Sequence, residues 1–403
     1  MSTYDDASLV FYPSGYKASK AYSLKPTDGS GDLTFTRAST ATRVNESGLI
    51  EEVAANVPRL DNSQGGCSTL LLEPQRTNLL TYSEDFNDAS WTKNELTVSA
   101  NAATSPNGTT NADKLIPSVA NDQHFIRKFP GLSANTYTQT IFAKSAGYKY
   151  FVLYRIGALV TTFFNLDTGV VDSVGGGVTA TMEDFGNGWY KCKAVYTVAG
   201  GTVVDYLVSD TLGVTTYEGD GTSGIYVWGA DLQVGSYATS YIPTLGTAVT
   251  RVADSLSNFT SAAIFGTASD SVVYFEILHA GIVNTSAAAI FRFGDAGAGL
   301  QFSLYVDNKG VNVFNYAAPS GFLINETNAN GSTIKIAIRW NGAVLTGFHN
   351  GVKKTTITRS SGTYSIDRIS DMNMSNLNSI GLKSMIIFPT ALTDEELIAL
   401  TTL

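Results

Sequence analysis

The stretch GDGTSGIYVWGADLQVG, residues 219–235, joins an acidic glycine-rich turn to a strand that carries a tryptophan. One face of this strand is apolar throughout, with Tyr226, Trp228, Ala230, Leu232 and Val234. The opposite face carries Asp231 and Gln233. Because successive side chains of a strand point to opposite faces of the sheet, the alternation predicts that Trp228 is a core residue and that Asp231 faces solvent. The stretch therefore predicts the closing core strand of a β-sandwich.

The acidic turn before this strand raises the question of a metal ion. The sequence EGDGTSG, residues 218–224, offers two carboxylates, Glu218 and Asp220. An EF-hand calcium loop needs more acidic positions and a terminal glutamate, which are missing here. A plain turn is favoured, so no cofactor is predicted, and Asp220 and Glu218 are the candidates if calcium binds.

The rest of the chain has the same two-residue periodicity. Runs such as YTQTIF (137–142), LQFSLYV (300–306) and IKIAIRW (334–340) predict half-buried strands between glycine and asparagine turns. The only clear helix is TDEELIALTTL at the C-terminus, where Thr393 and Glu396 have capping-box spacing.

The predicted fold is mainly β, with two tandem antiparallel β-sandwiches of jelly-roll type after an N-terminal segment. The predicted parts are residues 1–78, 79–245 and 246–403, with the second boundary in a stretch that lacks clean alternation. Two short segments echo each other, FTRASTATR (35–43) and VTRVADSLS (249–257). The echo suggests two entries into β domains, but it is too short to establish a duplication.

Composition and charge exclude several classes of function. Only 15% of the 403 residues are charged, and the net charge is −9. A nucleic-acid partner would need a basic stripe, and the sequence has none. No apolar run reaches the roughly 18 residues that span a membrane, and the N-terminal residues lack a basic leader. Neither nucleic-acid binding nor membrane insertion is predicted.

Catalytic motifs are also missing from the sequence. The three histidines are scattered, and no GxSxG elbow is present. The neighbouring carboxylates Glu183 and Asp184 would point to opposite faces of a strand, so they do not form the facing pair of a glycosidase. We therefore predict that the protein is not an enzyme, although carboxylates that converge from distant strands remain an alternative.

Two strand faces are candidates for contact with a glycan. In GNGWYKCKAVY, Trp189 shares a face with Lys191, opposite Cys192. An outward tryptophan beside a turn would stack on a pyranose ring, pack under a neighbouring loop, or contact another subunit. In LQFSLYVDN, the polar face suits sugar hydroxyls but is also typical of any solvated sheet. The candidate glycan-binding residues are Trp189, Lys191, Gln301, Tyr305 and Asp307.

Longer blocks resemble known families. NLLTYSEDFNDASW (78–91) and SGIYVWGADLQVG (223–235) resemble the first and last strands of galactose-binding-like carbohydrate-binding modules. IKIAIRWNGAVLTGFHNGVKKTT followed by IGLKSMIIFPTALTDEEL resembles the end of a concanavalin-like, laminin-G-type sandwich.

The ordered blocks along the whole chain, including LTFTRASTATRVNESGLIEEVAANVPRLD (33–61) and FPTALTDEELIAL (388–400), resemble bacteriophage head-fibre or spike proteins. Such proteins are found in crAss-like and other phages of Bacteroides-type hosts. The resemblance implies a homotrimer on the virion surface, made in the host cytoplasm. Its N-terminal part would attach to the capsid or other virion proteins, and its sandwiches would bind host polysaccharide. The alternatives are a purely structural capsid or tail decoration protein and, less favoured, a polysaccharide-degrading enzyme.

Overall fold

The computed structural model describes residues 3–155, 160–201, 203–257, 259–260, 262–265, 270–281, 288–295, 299–307, 309–329, 331–364, 366, 368–370, 372–373 and 379–403. The chain forms two compact units. Unit 1 contains Met1–Glu46, Glu52–Gln75 and Val252–Leu403, and unit 2 contains Ser47–Glu51 and Arg76–Arg251. The fold class is confirmed, because antiparallel β-sheets dominate both units.

The strands are short in the first 75 residues and longer afterwards. The first group is β1 (Leu9–Phe11), β2 (Tyr16–Lys17), β3 (Lys20–Ala21), β4 (Leu33–Thr36), β5 (Ala41–Val44), β6 (Ile50–Val53), β7 (Leu60–Asp61) and β8 (Thr69–Leu72). The second group is β9 (Arg76–Asn78), β10 (Thr92–Asn94), β11 (Leu96–Thr104), β12 (Thr110–Pro117), β13 (Asn121–Gln123), β14 (Phe125–Lys128), β15 (Asn135–Ala146), β16 (Tyr150–Arg155), β17 (Val160–Asn165), β18 (Val170–Ser173), β19 (Val178–Asp184), β20 (Tyr190–Val198), β21 (Val204–Ser209), β22 (Thr216–Glu218), β23 (Gly224–Val234) and β24 (Val249–Arg251). The third group is β25 (Ser255–Ser257), β26 (Phe259–Thr260), β27 (Asp270–Gly281), β28 (Ala288–Asp295), β29 (Gly299–Asp307), β30 (Gly310–Asn315), β31 (Gly321–Ile324), β32 (Thr333–Asn341), β33 (Val344–His349), β34 (Val352–Thr358), β35 (Arg368–Ser370), β36 (Met372–Asn373) and β37 (Ser379–Phe388). The helices are α1 (Ala262–Phe265) and α2 (Asp394–Thr401), with a 3₁₀ turn at Thr3–Asp6.

Unit 2 is a sandwich of two six-stranded sheets. One sheet has the order β10-β14-β21-β16-β17-β18, and the other has the order β11-β12-β23-β15-β20-β19. Side chains from both sheets form one hydrophobic core, which includes Trp91, Tyr137, Phe151 and Tyr206. This burial of apolar surface is the main source of stability for the sandwich.

A β-bulge at Gly229 divides the strand β23 into two parts. Gly229 has φ +65°, and two residues of β23 lie opposite one residue of β15 at this point. Before the bulge, Ile225 and Val227 face the core, whereas after it Ala230 and Leu232 do. The prediction of one uninterrupted apolar face was therefore wrong, because the extra residue reverses the alternation.

Trp228 is buried, as predicted, but it lies on the outer side of its sheet. Its ring contacts Phe142, with 5.6 Å between ring centroids, and Tyr241, at 4.9 Å. Tyr241 belongs to the segment that follows β23, so this segment covers the outer face of the sheet. A side chain at position 229 would place its Cβ 3.1 Å from the Phe142 ring, which explains the glycine.

Unit 1 is a second sandwich. Its eight-stranded sheet has the order β34-β33-β32-β27-β37-β8-β7, with β1 also paired to β37, and its six-stranded sheet has the order β26-β35-β28-β29-β30-β31. A five-stranded sheet, β2-β3-β4-β25-β36, adds to this unit. The core between them includes Phe11, Phe35, Phe275, Phe302 and Trp340.

The N-terminal residues are strands of unit 1. Both β1 and β8 pair antiparallel with β37, and β4 pairs antiparallel with β25. The start of the first echoed segment and the end of the second thus lie in neighbouring strands of one sheet, in which Phe35 lies opposite Leu256. Residues 1–75, apart from Ser47–Glu51, and the C-terminal residues share one compact unit, whereas the sequence suggested an N-terminal segment that precedes two sandwiches.

The C-terminal helix α2 has the predicted cap. The backbone N–H of Glu396 donates to the Thr393 hydroxyl, and the Glu396 carboxylate accepts from the Thr393 N–H at 2.8 Å. Leu397 and Thr401 are buried against unit 1. Among the described helices, none has the length and apolar character that crossing a membrane requires.

Four buried charged residues form an ion cluster in unit 1. The guanidinium of Arg59 contacts the Glu73 carboxylate at 2.7 Å and also contacts Asp254, whose other oxygen lies 3.3 Å from Arg37. Asp254 further accepts from the Glu73 backbone N–H at 2.7 Å. Each residue is adjacent to a strand end, next to β4, β7, β8 and β25. We call Arg37, Arg59, Glu73 and Asp254 the charge cluster.

The charge cluster also satisfies backbone groups. Arg37 donates to the carbonyls of Ala54 and Ser39, and Arg59 donates to the carbonyl of Thr42. Burial disfavours a charged Arg59, but the carboxylates of Asp254 and Glu73 outweigh that effect and raise its pKa. Removing one partner from such a cluster leaves a buried charge without compensation, which is strongly destabilising.

We expect Asp254→Asn to destabilise unit 1 by about 3–5 kcal/mol, because both guanidinium groups lose a carboxylate. The midpoint of urea unfolding measures the effect. The matched control is Asp394→Asn, which removes a partly exposed carboxylate paired with Arg339 and Lys353 in the same unit. That change should cost about 1 kcal/mol or less. Equal midpoints for the two variants would contradict a structural role for the cluster.

Candidate functional site

The six-stranded sheet of unit 1 has one face in the core and one face outside it. On β29, Phe302 and Leu304 point into the core, so Gln301, Ser303 and Tyr305 lie on the outer face. On β30, Val311 and Val313 point into the core, so Asn312 and Phe314 also lie on the outer face.

Four adjacent strands bring one row of side chains together on this outer face. Arg292 is the cross-strand partner of Ser303, Ser303 is the partner of Phe314, and Phe314 is the partner of Phe322. Neighbouring strands lie about 4.8 Å apart, so the row runs from a cation to two aromatic rings within three strand spacings.

The aromatic end of this row is exposed. Phe314 packs edge-on against Phe322, with ring centroids 5.1 Å apart, and against Tyr316, at 5.0 Å. Tyr316 and Phe322 are each 45% exposed. We call Phe314, Tyr316 and Phe322 the aromatic patch. Clustered exposed rings are unusual on a solvated sheet face and indicate a contact surface.

Polar groups hold the aromatic patch in place. The Tyr316 hydroxyl hydrogen-bonds to the Ser303 hydroxyl at 3.1 Å, which fixes the position of its ring. Beneath the patch, the ring of Tyr305 lies 6.0 Å from that of Phe322. Supporting contacts of this kind keep the exposed rings in one orientation.

A cleft opens beside Phe322. It has a volume of about 480 Å³ and is lined by Phe322, Leu323, Ile324, Asn325, Glu326, Lys354 and Thr355. Lys354 pairs with Glu326 at 3.0 Å, and Lys309 donates to the Asn325 side chain at 3.0 Å. The cleft therefore joins an aromatic wall to amide, carboxylate and ammonium groups, a combination found in small-ligand sites.

The structure places two of the predicted glycan-binding residues on this face, but in supporting positions. Gln301 is 2% exposed and accepts a hydrogen bond from Arg359 at 2.8 Å, and Tyr305 is 4% exposed. Both were expected to contact ligand directly, and their burial contradicts that expectation. The third residue, Asp307, is the last residue of β29, and its side chain lies outside the described part of the chain.

Sequence reasoning missed the residues that are exposed. Phe314 has the parity of Asn312 in the run GVNVFN, so an aromatic residue on a polar face was the available signal. Tyr316 and Phe322 lie outside regular alternation, near the turn that joins β30 to β31. Phe322 lies in β31, but Leu323 and Ile324 are both buried there, so this short strand does not alternate, and Tyr316 lies beyond the end of β30.

The other aromatic candidate, Trp189, is buried. It is 3% exposed, and its indole N–H donates to the carbonyl of Thr104, at the end of β11, at 3.0 Å. Its backbone N–H closes a tight turn by donating to the carbonyl of Gly186. Of the three alternatives, packing beneath a neighbouring segment is correct, so Trp189 does not offer its ring to a sugar.

Lys191 lies on the outer side of its sheet, opposite Cys192, as the alternation predicted. It is half-buried, and its ammonium lies 5.9 Å from the centre of the Phe142 ring. This contact assigns Lys191 a packing role beside Phe142.

The two calcium candidates are separate features of the surface. The Asp220 carboxylate accepts from the backbone N–H groups of Thr222 and Ser223, and hydrogen bonding from Ser223 and Thr222 lowers its pKa to about 2. Glu218 lies in β22, opposite Asn121. Within the described ranges, no three histidine, cysteine or acidic side chains lie close enough together to hold a metal ion.

The burial of Asp231 differs from the predicted exposure. It is 2% exposed rather than facing solvent, because the segment after β23 covers it. Its carboxylate accepts from Gln233 at 2.9 Å and from the Ile242 backbone N–H at 3.1 Å. Burial raises its pKa to about 7, although these hydrogen bonds and the charges of Lys191 and Arg251 oppose the effect.

Comparison with known proteins gives distant structural likenesses. A sialidase CBM40 domain of Ruminococcus gnavus, in complex with α2,3-sialyllactose, is 16% identical with a TM-score of 0.28, covering 34% of this chain and 84% of that domain. The binding domain of Paraclostridial Mosquitocidal Protein 1 is 13% identical with a TM-score of 0.29, and the match covers 37% of this chain and 40% of that one. The receptor-binding domain of botulinum neurotoxin C/D mosaic serotype is 13% identical with a TM-score of 0.30, and the match covers 36% of this chain and 39% of that one. No family model and no curated protein matches the sequence.

We expect Asp231 to make stability depend on pH. Its pKa is near 7 in the folded protein and about 3.9 in an unfolded chain, so folding is favoured most below pH 4. This contribution falls as the pH rises from about 4 to about 7, because the unfolded chain releases the proton while the folded protein retains it, and it is lost once the pH has passed 7. Asp231→Asn keeps an acceptor for Ile242 and removes the charge, so its melting temperature should fall less between pH 4 and 8.

The control for this measurement is Asp167→Asn, which removes an exposed carboxylate from the same unit. Its melting temperature should follow the wild-type pH profile. If Asp231→Asn also followed that profile, ionisation of Asp231 would not govern stability in this range.

Proposed function

We propose that the protein binds saccharides through the aromatic patch of unit 1. The observation that carries this proposal is the exposure of Tyr316 and Phe322, packed around Phe314, on the outer face of a β-sandwich. The C–H groups of a pyranose ring form an apolar face that packs well on an aromatic ring. Its hydroxyl groups need hydrogen-bonding partners at the rim.

The surroundings of the patch match those needs. The Asn325 side chain, the Tyr316 hydroxyl and the Glu326 carboxylate supply donors and acceptors near the exposed rings. A protein partner would favour a larger continuous apolar surface, whereas here Lys354 and Glu326 form an ion pair at the edge of the rings. Aromatic contact with a polar rim is the arrangement that favours a sugar.

We further propose that the protein is a subunit of a bacteriophage surface fibre or spike, which rests on the order of the phage-like sequence blocks. The N-terminal strands β1, β4 and β8 belong to the sheets of unit 1. The part of the chain that the resemblance assigns to particle attachment is therefore a surface of unit 1. Binding of host polysaccharide would then hold the virion at the cell surface.

We expect Phe322→Ala to reduce binding to host polysaccharide about tenfold or more, because a stacking ring is lost. A glycan array followed by calorimetry on the best ligand measures the change. The matched control is Phe129→Ala, which removes an equally large and more exposed ring in unit 2. It should leave affinity unchanged.

Three outcomes would contradict the glycan proposal. The first is retention of wild-type affinity by Phe322→Ala, and the second is no binding to any host polysaccharide. The third is the release of new reducing ends from host polysaccharide, which would indicate an enzyme instead. If Phe322→Ala changed only the subunit assembly, the patch would be a subunit contact of a structural decoration protein.

We expect the purified protein to be a homotrimer, as the resemblance to phage fibres implies. Linked copies of a weak sugar site would then raise the effective affinity without new contacts. Size-exclusion chromatography with light scattering at micromolar concentration measures the mass directly. A stable monomer of 42.8 kDa would count against the fibre proposal and leave saccharide binding by a single chain.

A further inference from the structure

We infer that the saccharide is acidic and that Arg292 binds its carboxylate; this inference rests on the proposed function. Arg292 lies on the outer face of β28, directly across from Ser303, and its side chain is exposed. The aromatic patch begins one strand further along the same row, at Phe314.

The spacing suits one ligand that touches both ends of the row. Phe314 lies two strand spacings from Arg292, or about 10 Å, and Phe322 lies three, or about 14 Å. Between them Ser303 is buried and its hydroxyl bonds to the exposed Tyr316, so the Tyr316 ring extends the aromatic surface towards the long side chain of Arg292. A sugar seated on the rings can therefore present a substituent to the guanidinium.

The guanidinium group of Arg292 favours a carboxylate as the substituent of the sugar. A guanidinium presents paired N–H donors that match a carboxylate in a bidentate arrangement. No carboxylate pairs with Arg292 among the residues that the structure describes. Its guanidinium is therefore available to a carboxylate on a bound ligand.

The local charge agrees with an anionic ligand. Among the side chains that the structure describes on this face and along the cleft, the charged ones are Arg292, Lys309, Glu326, Lys354 and Arg359. Four of these five are cations, in a chain with a net charge of −9. Glu326 is the acidic exception, and it is already paired with Lys354. A positive region on an acidic protein favours an acidic ligand at this place.

Arg359 adds positive charge near the patch, but its hydrogen bonds are made to the protein itself. Its guanidinium donates to Gln301 at 2.8 Å and to the Thr363 carbonyl at 2.6 Å. These bonds commit Arg359 to the protein, whereas Arg292 projects from the centre of the sheet. Arg292 is therefore the residue whose removal tests the inference.

The test uses an array of acidic saccharides, each beside a counterpart whose carboxyl group has been reduced or methyl-esterified. We expect the full-length protein to bind the acidic member about tenfold more tightly, and Arg292→Gln to bind both members equally. Arg292→Lys should keep part of the preference, because it retains charge without the paired donors. The matched control is Lys17→Gln, which removes an exposed cation in β2 and should keep the full preference.

The outcomes separate this inference from the proposed function. Equal wild-type binding to both members of each pair would overturn the acidic preference and leave saccharide binding intact. Retention of the preference by Arg292→Gln would overturn the role of Arg292. Equally tight binding to sulfated dextran would show charge attraction without carboxylate recognition and would overturn the inference too. Absence of binding to every array member would overturn both proposals.

Discussion

The buried charge cluster of unit 1 is the constraint on which its architecture depends. Arg37, Arg59, Glu73 and Asp254 come from four separate segments, and each is next to a strand end. A buried charge is tolerated only with partners at short range, so these four segments must meet at one point. The cluster therefore lies where β4 and β8 end and where β7 and β25 begin, and it keeps the N-terminal strands within the C-terminal sandwich.

The two units use the outer faces of their sheets differently. In unit 2, the Gly229 bulge turns Trp228 outward, and the segment that contains Tyr241 covers it, so that Asp231 is buried as well. In unit 1, Gln301, Ser303 and Tyr305 on the outer face of the six-stranded sheet are buried too, but Tyr316 and Phe322 beside them are exposed. A covered face contributes stability, and an exposed aromatic face is available for binding, which places the candidate site in unit 1.

Much of the fold could be predicted from local patterns, since alternation and capping are local properties. The strands, the burial of Trp228 and the cap formed by Thr393 and Glu396 all followed from spacing. The orientation of Asp231 did not, because one glycine in the left-handed region reverses every later side chain. The exposure of Phe322 and the burial of Trp189 depend on segments distant in sequence, which no local pattern describes.

The order of the charge cluster along the chain has a consequence for synthesis. Arg37, Arg59 and Glu73 leave the ribosome before the main segment of unit 2, Arg76–Arg251, and Asp254 follows only after it. Until then the two guanidinium groups have a single carboxylate, and the N-terminal strands lack β25 and β37 as neighbours. Unit 2 is almost continuous in sequence, so it can fold before the charge cluster of unit 1 is complete. Unit 2 thus has its whole sequence before unit 1 does, and unit 1 is the last to acquire all of its strands.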